Sequence, residues 1–104
     1  MDDFLGHPRH PFTRGAVEGA PQEAGVYGLF LGEELIYVGR ATDRDESLRA
    51  LLLLHQDGAL GACTMKATHF AWEVTIWPYA RENEVLVRHR RKYRREPRCN
   101  ADAR

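Results

Sequence analysis

A glycine-bounded hairpin pattern constrains the fold of this chain more than any other feature. The stretch GVYGLFLGEELIYVG, residues 25–39, alternates with period two on either side of Gly32-Glu33-Glu34, which is typical of two antiparallel strands joined by a tight turn. A two-residue turn would place Tyr27 and Tyr37 on opposite faces, whereas a three-residue loop would pair Tyr27 with Gly39 and direct both phenols to one face. The three-residue loop predicts an open space beside Tyr27, because glycine has no Cβ atom. The simpler alternative is a strand tyrosine that packs over a strand glycine.

The remaining patterns predict two helices and one further strand. The segment TDRDESLRALLLLHQDG predicts a helix near residues 45–56, with Asp43 or Asp45 as the N-cap. The alternating segment THFAWEVTIW predicts a third strand. A second helix is expected from Ala80 to about Arg95.

This order of elements predicts one small domain behind an N-terminal arm. The chain has 104 residues, which is enough for one domain and too few for two. We expect an α+β fold, a small three-stranded antiparallel sheet flanked by helices in the order β-β-α-β-α. Residues 1–22 are predicted to be an irregular arm and residues 23–101 the domain. The run Leu51–Leu54 makes the first helix apolar on almost every side, which predicts a second buried contact, from the arm or from a homodimer partner.

Charge, cysteine and hydropathy patterns predict the environment of the protein. Lys+Arg and Asp+Glu both number 15, but residues 88–98 hold seven basic residues against one acidic residue, which indicates a local basic stripe or simply a solvated helix face. Cys63 and Cys99 form no Cys-x-x-Cys motif, so we expect free thiols in a reducing cytosol. The sequence shows no signal-peptide pattern and no run of about eighteen apolar residues. We therefore expect a soluble cytoplasmic protein that does not enter a membrane.

The two triplets of the hairpin, Gly25-Val26-Tyr27 and Tyr37-Val38-Gly39, resemble the signature of the GIY-YIG nuclease family. The resemblance covers about residues 22–100. Further matching features follow in family order: Leu48, Arg49 and His55 on the first helix, an acid that opens the last helix, and Pro97-x-x-Asn100. The resemblance implies an endonuclease that hydrolyses phosphodiester bonds in DNA, single-stranded or duplex, with one Mg²⁺ (or Mn²⁺) ion held by a glutamate.

The resemblance also implies roles for individual residues. Tyr27 would be the base that activates water, or its relay, and Tyr37 would orient the nucleophile. His55 would assist proton transfer or hold the phosphate. Asn100 would lock the C-terminal segment or touch the site.

Glu82 is the expected metal ligand. On a helical wheel it heads an apolar stripe, whereas Glu84 lies on the opposite side with Arg88, Arg91 and Arg95. An acid that faces the sheet needs a partner. The alternative is an acid favoured by the helix dipole alone.

The catalytic arginine of the family does not lie at its usual place, one turn before the histidine, where this chain has Leu51. Arg49 is close in sequence but points to a different side, because two residues rotate a helix by about 200°. Arg40 and Arg44, in or near the loop after the second triplet, are the other candidates. The sequence therefore supports an active endonuclease or a catalytically inactive nucleic-acid-binding or protein-interaction module. The expected nucleic-acid contacts are Arg40, Arg44, Arg88, Arg91 and Arg95.

Overall fold

The computed structural model describes residues 7–102, which form a four-stranded antiparallel sheet and short helices. In chain order the elements are β1 (His10–Pro11), α1 (Arg14–Glu18), β2 (Gly25–Leu31), β3 (Glu34–Ala41), α2 (Leu48–Gln56), α3 (Ala62–Met65), β4 (His69–Val74), α4 (Pro78–Tyr93) and α5 (Arg98–Asp102). The strand order is β1-β4-β2-β3, so β3 is an edge strand. The predicted α+β class is confirmed. The predicted count of three strands is wrong, because His10 pairs with Phe70 and adds β1 beside β4.

Tyr27 pairs with Gly39 as expected, but the turn of the hairpin differs from the predicted one. Leu31 pairs with Glu34, so the turn has two residues and the predicted three-residue loop is wrong. Gly32 occupies the turn with φ of 60°, a conformation that glycine adopts without strain. A β-bulge at Ile36 then adds one residue to β3, and Tyr27 still pairs with Gly39. A two-residue turn alone would place Tyr27 and Tyr37 on opposite faces. Because one extra residue exchanges the two faces of a strand, the bulge returns the two tyrosines to the same face.

The expected open space beside Tyr27 is filled by the ring of Tyr27 itself. A Cβ atom added at Gly39 would lie 2.5 Å from both the Cζ and the hydroxyl oxygen of Tyr27. Gly39 is therefore needed for the close approach of this aromatic side chain to the backbone of β3.

The two faces of the sheet carry separate buried clusters. On the Tyr27 face, Leu29, Leu48 and Leu52 pack with residues from α1 and α5. On the other face, the α4 residue Val85 packs against side chains of β2, β3 and β4. The helices that carry the candidate site residues are thus fixed by ordinary apolar burial.

The described part of the N-terminal arm covers α2. Val17 and Ala20 are buried in the same cluster as Leu52, while Leu54 remains 40% exposed. The arm therefore provides a buried contact for the leucine run. A homodimer through this helix stays a prediction.

Both main helices begin at residues other than those expected. The N-cap of α2 is Ser47, whose side chain accepts a hydrogen bond from the Ala50 amide. Asp43 instead accepts from the backbone amides of Asp45 and Glu46 in the preceding loop. Helix α4 begins at Pro78. Proline is favourable at the first position of a helix, because the backbone amide there has no partner within the helix and its absence costs no hydrogen bond.

Cys63 and Cys99 form a disulfide that joins α3 to α5. The prediction of free thiols is therefore wrong. The two cysteines are 36 residues apart and only the folded chain brings them together, so their spacing gave no signal. Within residues 7–102, none of the helices combines the length and the apolar character needed to cross a membrane.

Candidate active site

A cavity of about 410 Å³ lies beside the edge strand β3. Its walls include Tyr27, Tyr37, Arg40, Leu51, Tyr79 and Glu82. Because β3 has no strand on its outer side, side chains from α2 and from α4 can reach the same cavity. The fold thus brings together residues far apart in the sequence.

Tyr27, Tyr37 and His55 form a compact aromatic group. The ring centroids of the two tyrosines are 6.1 Å apart, and the His55 ring lies 5.5 Å from Tyr27 and 4.9 Å from Tyr37. The phenol oxygen of Tyr27 is 2.8 Å from His55 Nε2. The other ring nitrogen, Nδ1, is 2.8 Å from the hydroxyl oxygen of Thr64. Both nitrogens of a buried imidazole therefore have a partner.

Burial raises the pKa of both phenols above the ordinary tyrosine value. It is the main reason that the pKa of Tyr27, which is 2% exposed, lies well above its ordinary value. Burial and the negative charge of Glu82 also raise the pKa of Tyr37, while a hydrogen bond from Tyr27 and the charge of Arg40 act in the opposite direction. Tyr37 is only half-buried and lies at the cavity.

His55 is neutral at pH 7, because burial lowers its pKa to about 4. The unfolded chain, with an ordinary histidine pKa of about 6.5, binds this proton first as the pH falls. We therefore expect the free energy of unfolding to decrease by about 3 kcal/mol between pH 6.5 and pH 4 because of His55. Urea unfolding at several pH values measures this slope. His55→Gln should flatten it, whereas the control His69→Gln should not, and an unchanged slope in His55→Gln would contradict the assignment.

Arg40 and Glu82 form an ion pair at the cavity. Arg40 Nη1 is 2.6 Å from Glu82 Oε1, and the guanidinium lies 4.1 Å from the ring centroid of Tyr79. The hydrogen bond to Glu82 raises the pKa of Arg40. Glu82 reaches the cavity as expected, and its present partner is an arginine.

Two other expected site residues, Arg44 and Arg49, lie elsewhere. Arg49 donates from Nε to the backbone carbonyl of Ala20, 2.8 Å away, and therefore joins α2 to the end of the arm. Arg44 is exposed in the loop between β3 and α2. Neither Arg44 nor Arg49 lines the cavity. The geometry thus favours Arg40 among the three candidate arginines.

Asn100 holds β3 rather than entering the cavity. Its side chain accepts from the Val38 amide at 2.8 Å and donates to the Val38 carbonyl at 2.9 Å. This pair of bonds occupies the outer edge of β3 as a neighbouring strand would. Of the two roles expected for Asn100, the geometry supports locking of the C-terminal segment.

The predicted basic stripe divides into two surfaces. Arg88 and Arg91 line a depression on the outer side of α4 together with Glu84. Arg95 lies beyond the end of the helix and lines a different depression with Glu34. The expectation that Arg95 shares one face with the other two is therefore wrong, because α4 ends at Tyr93 and Arg94 turns the chain with φ of 63°.

Two residues of the site were not predicted. Tyr79 lies one turn before Glu82 on α4, and this spacing on the helix could have indicated it. Thr64 gave no sequence signal, since its contact with His55 depends on the position of the short helix α3.

The cavity wall holds two carboxylates, those of Glu46 and Glu82. Within residues 7–102 no group of three or more His, Cys, Asp or Glu side chains could hold a metal. Mg²⁺ often takes one or two carboxylates and completes its shell with water and substrate phosphate. Glu82 offers one such carboxylate, with Glu46 on the wall of the same cavity.

The fold and the site define an α+β protein with phenol, imidazole, guanidinium and carboxylate groups around one cavity. Comparison of the chain with protein-family models, with curated proteins and with solved structures finds no match. The resemblance to a nuclease family therefore rests on the sequence motifs alone.

Proposed function

We propose that this chain is a GIY-YIG-type endonuclease that hydrolyses phosphodiester bonds in DNA. The observation that carries the proposal is the convergence of Tyr27, Tyr37, Arg40 and Glu82 on one cavity. Such hydrolysis needs a base for the attacking water and positive charge for the phosphate in the transition state. The cavity offers groups for both tasks.

Arg40 is the proposed cation for the phosphate. Stacking on Tyr79 and pairing with Glu82 hold its guanidinium at the cavity. A guanidinium can form two parallel hydrogen bonds to a phosphate. To do so, Arg40 shares or exchanges its bond to Glu82 when the substrate enters.

Tyr37 is better placed than Tyr27 to act as the base: it would first lose its own proton to solvent at the cavity, and the resulting phenolate would accept the proton of the attacking water. Tyr27 is almost completely buried and its pKa lies further above the ordinary range. Tyr37 is half-buried, and the hydrogen bond from Tyr27 stabilises its phenolate form. Tyr27 then acts as the donor that orients Tyr37.

Glu82 is the proposed ligand of the divalent ion. When bound there, Mg²⁺ or Mn²⁺ supplies positive charge to the phosphate oxygens. Arg88 and Arg91 are the proposed contacts to the DNA backbone on the outer side of α4. A cytoplasmic location stays a prediction, although disulfides are more frequent outside the reducing cytosol.

A second function, nucleic-acid binding without cleavage, is favoured by one specific observation. Glu82 is already neutralised by Arg40, and Leu51 lines the cavity where the family carries its arginine. In this alternative the ion pair is permanent and the cavity only holds a phosphate.

Glu82→Gln tests the two functions directly. We expect this change to lower the cleavage rate of labelled single-stranded or duplex DNA, with Mg²⁺ or Mn²⁺, by at least about 100-fold, because it removes the carboxylate that would hold the divalent ion. Glu23→Gln is the matched control, since Glu23 is exposed and lies outside the cavity wall. Wild-type protein that binds DNA without cleaving it would favour the second function.

A further inference from the structure

Thr64 is a buried residue that is linked to the candidate site through His55. It is 3% exposed, and its hydroxyl oxygen is 2.8 Å from His55 Nδ1. Among residues 7–102 this is the one hydrogen bond of the Thr64 side chain. His55 Nε2 is bonded to Tyr27 on the other side of the ring. The imidazole therefore connects a threonine hydroxyl to the phenol of Tyr27.

A neutral imidazole carries one proton, so this chain of bonds has two arrangements. If Nδ1 of His55 carries the proton, Nδ1 donates to Thr64, and Tyr27 donates to Nε2. The hydroxyl proton of Thr64 then has no acceptor within the described residues. A buried donor without an acceptor is unfavourable.

In the other arrangement the proton that needs an acceptor is that of Tyr27, which lies on the cavity wall beside Tyr37. Thr64 donates to His55 Nδ1, and His55 Nε2–H donates to the oxygen of Tyr27. The hydroxyl proton of Tyr27 is then free to bond Tyr37. The ring centroids of the two tyrosines are 6.1 Å apart and both side chains line the same cavity, so the phenol of Tyr37 is the neighbouring acceptor for this proton. The directions in which the two phenols shift each other's pKa agree with Tyr27 as the donor.

We propose that Thr64 is a positioning residue that holds His55 in the Nε2–H tautomer, so that hydrogen bonds run in one direction from Thr64 through His55 and Tyr27 to Tyr37. The catalytic consequence rests on the proposed nuclease function. Because Nε2 of His55 already carries a proton, His55 does not take one from Tyr27. Tyr27 instead donates to Tyr37 and stabilises the phenolate that forms when Tyr37 loses its proton to solvent at the cavity. This phenolate would then accept the proton of the attacking water.

The tautomer of His55 can be measured without any assay of activity. Two-bond ¹H–¹⁵N correlation spectra of the whole protein at pH 7 distinguish the two tautomers, and His55→Gln assigns the signals. We expect Nε2–H in the wild type and in Thr64→Ser, and a mixture of tautomers in Thr64→Val, which keeps the shape of threonine without its hydroxyl. Nδ1–H in the wild type, or unchanged Nε2–H in Thr64→Val, would overturn the proposal. If Thr64→Val does not fold, Thr64→Ala takes its place beside the wild-type measurement.

The catalytic consequence has its own measurement. Thr64→Val is expected to lower kcat for DNA cleavage about tenfold with little change in KM, and Thr64→Ser to restore it. An equal loss in both variants would overturn the positioning role, since a purely structural defect does not depend on the hydroxyl. If the wild type cleaves no DNA, the nuclease function fails, and the tautomer measurement still decides the role of Thr64.

Discussion

Replacing Cys99 by serine is expected to lower the free energy of unfolding by about 4 kcal/mol. The disulfide closes a loop between residues 36 positions apart, and this crosslink reduces the conformational entropy of the unfolded chain. The net stability of a domain is about 5–15 kcal/mol. The loss would therefore remove a large share of the stability of this protein. Urea unfolding followed by circular dichroism measures the change.

The matched variants distinguish the crosslink from the packing of the cysteines. Cys63→Ser and the double variant should both lose about as much as Cys99→Ser, because one crosslink is lost in each case. The wild type in excess reductant should behave in the same way. A wild type whose unfolding midpoint does not respond to reductant would contradict the prediction.

Local sequence patterns predicted much of the sheet but not how it is completed. Alternation located β2, β3 and β4, since strand periodicity is a local property. The two-residue turn and the bulge at Ile36 had opposite effects on the register, so the pairing of Tyr27 with Gly39 was correct although the loop was not. β1 is two residues long, which is too short to show any periodicity. Its pairing with β4 depends on tertiary contacts.

The sequence predicted the direction of a candidate site residue where that residue lies on a helix. The helical stripe of α4 placed Glu82 toward the sheet, and the cavity contains it. Helical rotation likewise indicated that Arg49 points to a different side from His55, and Arg49 bonds the Ala20 carbonyl. The pairing of Arg40 with Glu82 joins the end of β3 to α4. These two residues are 42 positions apart in the sequence, so no local sequence pattern could have predicted their contact.

Replacing Arg40 by alanine is expected to have the largest effect on activity. The proposed role gives Arg40 the charge that stabilises the transition state, and a guanidinium in such a role is worth about 10³-fold or more in rate. We therefore expect Arg40→Ala to lower kcat for DNA cleavage by about 10³-fold. Arg44→Ala is the matched control, because Arg44 is exposed and lies outside the cavity wall.

Leu51→Arg provides the complementary test of the same charge. Leu51 lines the cavity that holds Arg40 and Glu82, so an arginine there would bring a guanidinium to the same phosphate. In the Arg40→Ala background we expect it to raise cleavage at least about tenfold, which is about 1.4 kcal/mol in barrier height. In the wild type it should add little, because Arg40 already supplies the charge. A tenfold gain from Leu51→Arg alone, together with full activity of Arg40→Ala, would show that Arg40 has no catalytic role. If no variant cleaves DNA, the permanent ion pair of Arg40 with Glu82 becomes the better account, and the cavity is a binding site.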